Sequence, residues 1–154
     1  MIERPEEKID DFIFAGFSRL IVHIESTEHM GEIIERAKEM DTEIGIAINI
    51  DTPNTTLEEW IDKVNFVQCM GIARIGFQGE PFDLRVVEKI STLRTKYPDI
   101  IISVDGGVSL KTAPFLIGAG AERLVSGSAI FESDDIEKTI HSFKNIHPEG
   151  MYEE

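Results

Sequence analysis

Ile102-Ser103-Val104-Asp105-Gly106-Gly107-Val108 and, further along, Leu124-Val125-Ser126-Gly127-Ser128-Ala129-Ile130-Phe131 follow one plan: a short β-rich run ends in polar residues and glycine. Between them stand Thr112-Ala113-Pro114 and Gly118-Ala119-Gly120-Ala121, whose glycines suit the end of an intervening helix. Strand, turn, helix and strand make a βαβ unit with parallel strands and a right-handed crossover. Glycine lets the backbone take conformations that a Cβ forbids, so bare N–H groups can approach an anion closely. Two such loops on neighbouring strands describe the phosphate site that βα-barrels build after their last strands. A single Gly-Gly pair would mark only a tight turn; the recurrence points to phosphate.

The same alternation runs outward to both ends. Strands are predicted at 20–24, 44–50, 65–70, 100–104 and 123–126, and amphipathic helices near 6–14, 29–40, 56–63, 82–96, 111–118 and 134–144. Thr55/Thr56 before Leu57-Glu58-Glu59 and Ser133 before Asp134-Asp135 read as helix starts, and Pro98 follows a helix end. No Ser/Pro-rich linker divides the chain. The predicted architecture is α/β: a partial (β/α)8 TIM barrel of about five parallel strands, one domain over 1–145 and an acidic tail over 146–154.

Strand parity adds a direction. Ile44, Ile46, Ile48 and Ile50 share one face while Gly45, Ala47 and Asn49 share the other, so a bulky face meets helices and a small or polar face looks inward. His23 with Glu25, Gln68 with Met70, Ser103 with Asp105, and Ser126 with Ser128 put polar residues at the strands' C-terminal ends. That is the end where such folds assemble ligand sites.

Composition narrows the rest. The 154 residues are 42% hydrophobic and carry a net charge of -14, which opposes nucleic acid and anionic membranes as partners. Any bound phosphate therefore needs local donors. The single cysteine, Cys69, excludes an internal disulfide and reads as a small buried hydrophobe. Met1-Ile2-Glu3-Arg4 lacks signal-peptide character and no apolar stretch reaches the ~18 residues of a membrane span, so a cytoplasmic protein is expected and the Asn54-Thr55-Thr56 sequon is idle. Trp60 and the phenylalanines at helical spacing read as core, and His29, His141 and His147 as surface.

Val104-Asp105-Gly106-Gly107-Val108 with Gly127-Ser128-Ala129-Ile130-Phe131 resembles the end of the ribulose-phosphate 3-epimerase family. Ala15-Gly16 followed by Val22-His23-Ile24-Glu25-Ser26 is similar to the family's fourth strand, Gly45 through Thr52-Pro53 to its fifth, and Met70 through Phe82 to its sixth. The resemblance implies a (β/α)8 barrel that interconverts D-ribulose 5-phosphate and D-xylulose 5-phosphate by proton transfer at C3. That chemistry needs an acid/base on each side of the carbon and a divalent metal cation on the enediolate oxygen. Residue by residue, Asp105 matches a catalytic aspartate that is also a metal ligand. Met70 matches a methionine lining the substrate cavity, and Gly106, Gly107, Gly127 and Ser128 match the phosphate-binding backbone. Gly79 matches less closely. The family reads Pro-Gly-Phe-Gly-Gly there, against Arg74-Ile75-Gly76-Phe77-Gln78-Gly79-Glu80-Pro81-Phe82 here; the altered loop could bring Arg74 to a phosphate, but Glu80 would oppose it, and Arg74 reads as a solvated loop charge.

Met1 to Pro5 is similar to the segment just after the family's third strand. The expectation is that the second aspartate and both metal histidines are missing, so the chain alone is inactive and binds a cation weakly. His23, on the inward parity of its strand with Glu25, could supply a substitute ligand, although an inward histidine is more often a hydrogen-bonded interior group. Two rivals stand beside the epimerase: a non-catalytic phosphosugar- or phosphate-binding protein, and a phosphosugar-barrel enzyme of the hexulose-phosphate synthase or decarboxylase type. Five strands cannot close, so a homo-oligomer that covers the open edges is expected.

Overall fold

The computed structural model describes residues 2–77 and 79–146. Five strands, β1 (Arg19–His23), β2 (Glu43–Ile48), β3 (Phe66–Met70), β4 (Ile101–Asp105) and β5 (Arg123–Val125), pair in that order, all parallel. Helices α1 (Ile9–Phe14), α2 (Met30–Glu39), α3 (Arg85–Lys96), α4 (Ala113–Ala119), α5 (Ser128–Phe131) and α6 (Ile136–Lys144) accompany them, with short 3-10 turns between. All five predicted strands form. The tail expected at 146–154 lies, from residue 147 on, outside the described residues, as does His147.

The isoleucine parity of β2 sets the layers. Ile44, Ile46 and Ile48 are fully buried in a core with Ile33, Ile34 and Ala37 of α2. Val67, Cys69, Ile102 and Val104 continue it against Val86, Ile90 and Leu93 of α3. Both helices carry apolar residues three and four positions apart, which is how one face meets a sheet. Burial pushes the Cys69 thiol up to about 12, as a thiol without solvent requires.

The opposite face is concave, and its lower end is filled by one ring. Ile21, Gly45, Phe66 and Ile101 form a row across four strands. Phe66 lies flat across Gly45, where an added Cβ would stand 2.3 Å from the ring. Arg19 covers the ring from β1 and Arg123 from β5, with guanidinium carbons 5.7 and 5.0 Å from its centre. Glu43 binds both arginines, at 2.6 Å to Arg19 and 3.0 Å to Arg123. Its carboxyl is held below the usual range, first by the Arg19 hydrogen bond, then by Arg123 against the opposing effect of burial. Arg123 and Glu43 belong to strands separated by two others, so their contact across the hollow is direct evidence that the sheet curls like a barrel wall.

Three expectations are corrected. The helix predicted over 56–63 is a pair of 3-10 turns, Asn54–Leu57 and Ile61–Lys63. Thr56 spends its hydroxyl on the Pro53 carbonyl at 2.8 Å and does not cap, and successive N–H groups bond three residues back. At the last helix the cap is Asp135, which accepts from the Lys138 N–H at 2.9 Å, two residues past the predicted Ser133 start. Phe12, Phe14, Phe17, Phe77, Phe115 and Phe131 are exposed, so most phenylalanines are not core. Phe66 carries that role.

Replacing Gly45 with alanine should cost about 1–3 kcal/mol of stability, because the methyl has no room beside the ring. Phe66→Ala should cost about 3–5 kcal/mol. The double variant should cost clearly less than the sum, since removing the ring frees the space. Urea denaturation of the three variants measures this.

Candidate functional site

The C-terminal ends of the strands open into a cavity of about 960 Å3. Its floor is Met70 and Asp105, which are register partners on β3 and β4, with Val125 beside them on β5. Past Asp105 the chain passes through Gly106 (φ 95°) and Gly107 (φ 66°). An L side chain is strained at both, and an added Cβ would meet Ile72 at 2.8 Å or Phe82 at 2.9 Å. Glycine is therefore required there by space and by backbone alike.

Side chains hold this turn. Thr112 Oγ1 donates to the Gly107 carbonyl at 2.8 Å and accepts from the Ser109 N–H at 2.9 Å. Ser126 Oγ donates to the Val108 carbonyl at 3.0 Å, tying the glycine turn after β5 to the one after β4. Gly127 and Ser128 then border the same cavity. Among the described residues, no backbone carbonyl accepts from the N–H groups of Gly107, Gly127 or Ser128. Unpaired donors on residues that border one mouth are the raw material of an anion nest. Ser126 points to Val108 and not inward, so the predicted Ser126/Ser128 face is corrected: Arg123 and Val125 are the inward residues of β5.

Asp105 is half-buried. Burial pushes its carboxyl up, while the Gly106 N–H and the neighbouring His23 pull against that rise. A carboxylate raised this way is a stronger base than one in water. Gly79 (φ 73°) lines the mouth on the loop after β3, with Phe77 and Glu80. Arg74 is exposed on its loop, as expected of a solvated charge, and it is also paired: it grips Glu80 through two nitrogens at 3.1 and 2.6 Å and leans on Phe77. Glu80 is thus neutralised at a mouth where a bare carboxylate would repel phosphate.

His23, at the end of β1, borders the same cavity. Its Nδ1 lies 3.3 Å from Glu25 Oε2, and Glu25 Oε1 accepts from the Asn49 N–H at 2.8 Å and from Thr52 Oγ1. Burial alone would raise the Glu25 carboxyl; hydrogen bonds from His23, Thr52 and Asn49 outweigh it and hold it at about 2. Parity paired His23 with Glu25 correctly, but nothing in the sequence signalled Thr52, because it comes from the loop after a different strand. A divalent cation needs several hard ligands gathered at one point. Among the described residues no three His, Cys, Asp or Glu side chains gather so, and His23 has one ring nitrogen committed to Glu25. Asp105 and His23 share the cavity, but the donor set does not fit a metal site.

Backbone N–H groups without carbonyl partners and a raised carboxylate stand at the C-terminal mouth of a curled parallel sheet, the end where βα-barrels assemble their ligand sites. The ribulose-phosphate 3 epimerase family profile matches residues 1–131, and the chain belongs to that family. It is 36% identical over 145 residues to ribulose-phosphate 3-epimerase of Schizosaccharomyces pombe, covering 94% of this chain and 63% of that one. It is also 36% identical over 149 residues to the Bacillus subtilis enzyme, covering 94% of this chain and 68% of that one. The chain thus spans about two thirds of these relatives. A solved 3-hexulose-6-phosphate synthase from Salmonella typhimurium superposes with a TM-score of 0.74 at 16% identity, covering 93% of this chain and 67% of that one, which places the fold among TIM-barrel enzymes.

The Glu25 carboxyl sits lower folded than its ordinary 4.5, so it stabilises the fold above that value and the contribution is lost as pH falls towards about 2. Glu25→Gln should therefore lose less stability than the wild type across that window, as followed by urea midpoints at stepped pH.

Proposed function

We propose that this chain binds a pentulose phosphate, D-ribulose 5-phosphate or D-xylulose 5-phosphate. Its phosphate would rest on the N–H groups around Gly106-Gly107 and Gly127-Ser128, and its C3 hydrogen would face Asp105. The observation that carries the proposal is the pair of loops with unpaired N–H groups, tied together by Ser126 at a mouth whose floor is one raised carboxylate. Donors supplied by the backbone answer the charge problem. In a chain of net charge -14, partial positive charge confined to one nest attracts the anion where the overall field does not. Met70 and Gly79 would bound the sugar on either side.

Asp105 serves one face of C3. Taking the proton and returning it to the same side leaves the configuration unchanged, so inversion needs a second group opposite. The described residues bring no second carboxylate beside Asp105, and they do not fit the cation that would stabilise the enediolate oxygen. Each proton-transfer group is worth about 10²–10⁴-fold in rate, and the cation several kcal/mol more. The chain by itself therefore binds and does not turn over.

Among the described residues no strand pairs with the outer edges of β1 and β5, and Ile21 and Val125 on those strands are 43% and 45% exposed. Self-association that covers these edges is part of the proposal, and high salt should favour it by screening the shared negative charge.

Three measurements test this. Phosphate titration should move the amide resonances of Gly106, Gly107, Gly127 and Ser128; no response there rejects the site. A coupled assay with D-ribulose 5-phosphate and Mg2+ or Zn2+ should show no turnover by this chain; rates near those of ordinary enzymes would overturn that part. Sedimentation velocity across a salt series should show association rising with salt, and a compact monomer throughout would count against it.

A further inference from the structure

The phosphate nest and Asp105 leave one wall of the cavity without a role. On that wall stands His23, and the neighbouring elements fix it more firmly than a surface imidazole needs. Glu25 receives three donors, from His23, the Asn49 N–H and Thr52, so it has little freedom to swing. The Thr52 loop is braced from the helix layer: Lys89 Nζ on α3 donates to the Thr52 carbonyl, and Asn54 Nδ2 donates to the Lys89 carbonyl at 2.9 Å. Lys89 is half-buried there and burial lowers its pKa, so a charged group has been drawn in to support this loop.

The brace decides what the imidazole can do. An ionised carboxylate against Nδ1 selects the tautomer with hydrogen on Nδ1, which leaves Nε2 as a lone-pair acceptor. Glu25 stays ionised across the whole working range, its carboxyl being held at about 2. Along the register row from His23 come Ala47, too small to crowd the ring, then Gln68, which also borders the cavity and accepts from Ser103 Oγ at 3.3 Å. This is a row of hydrogen-bonding groups placed away from the anion nest. It suits the hydroxyls of a sugar chain, not the phosphate at its end.

We propose that His23, locked by Glu25, binds a hydroxyl of the phosphosugar through Nε2, and that Glu25 is its positioning residue. This rests on the phosphosugar assignment above and deepens it by giving the sugar its own contact. One hydrogen bond to a fixed acceptor is worth about 0.5–1.5 kcal/mol, which converts to roughly 2- to 13-fold in affinity.

Two probes separate the parts. Inorganic phosphate should move the amides of Gly106, Gly107, Gly127 and Ser128 and leave the His23 imidazole resonances in place. D-ribulose 5-phosphate should move both sets and bind several-fold more tightly. Glu25→Gln should change the His23 tautomer, seen in the imidazole 15N shifts, and weaken D-ribulose 5-phosphate by roughly 2- to 13-fold with inorganic phosphate unaffected. Thr52→Val, which removes one of the three donors to Glu25, should act in the same direction more mildly and serves if Glu25→Gln does not fold. His23 resonances that ignore D-ribulose 5-phosphate while the glycine amides respond would overturn the inference and leave the phosphate site standing. Equal weakening of both probes would also overturn it, by making the pair merely structural. If the glycine amides ignore both probes, the phosphate assignment fails, and D-ribulose at high concentration decides His23 by itself: a shift supports the contact and silence rejects it.

Discussion

Much of the structure depends on a place where two side chains cannot both exist. Phe66 lies over residue 45, so residue 45 has no side chain, and the ring fills the lower hollow of a sheet that would otherwise need its opposite wall for cover. The guanidinium groups of Arg19 and Arg123 close over the ring, and Glu43 holds both. A cation over an aromatic face in a partly desolvated setting gains about 0.5–2 kcal/mol, so the layer is attractive as well as steric. Because it joins both outer strands to the second, it also sets the curvature. With the lower end filled, the hollow opens at the end where the strands deliver their polar residues.

The upper end meets a different problem: an anion bound there, as proposed, would have to be held by an acidic chain. No lysine or arginine is spent on it: Arg74 is bound to Glu80, Arg94 to the Gly120 carbonyl and Glu122, and Arg85 to Asp83 and Asp51. Backbone donors need no counter-charge and keep their geometry when the glycine turn is braced, as it is by Thr112 and Ser126. The positioning of the nest is therefore bought with two hydroxyls.

What the sequence revealed and what it hid divide along one physical line. Period-two alternation in β2 and the glycine turns after Asp105 and Ser126 are local signals, and they located the strands, the layers and the end of the sheet where the cavity opens. Met70, Gly79, Gly106, Gly107, Gly127, Ser128, Asp105 and His23 were each named from sequence, and all of them border one cavity. Contacts between distant segments stayed hidden. The Glu43–Arg123 pair depends on curvature, which no window of residues encodes, and Thr52 reaches Glu25 only once two loops lie side by side. Segment 54–63 misled for a related reason. Its apolar spacing fits a helix, and Leu57 and Ile61 are indeed buried, but a run of 3-10 bonds places both without one.

Cys69 has a consequence of a different kind. It is fully buried at the centre of the sheet, and burial holds its thiol at about 12, so in the closed fold there is almost no thiolate and no path for a reagent. Alkylation must then wait until β3 parts from its neighbours, and with abundant reagent its rate becomes a count of those openings. The chain carries a chemical clock for the integrity of its own sheet, placed on the strand next to the one that holds Asp105.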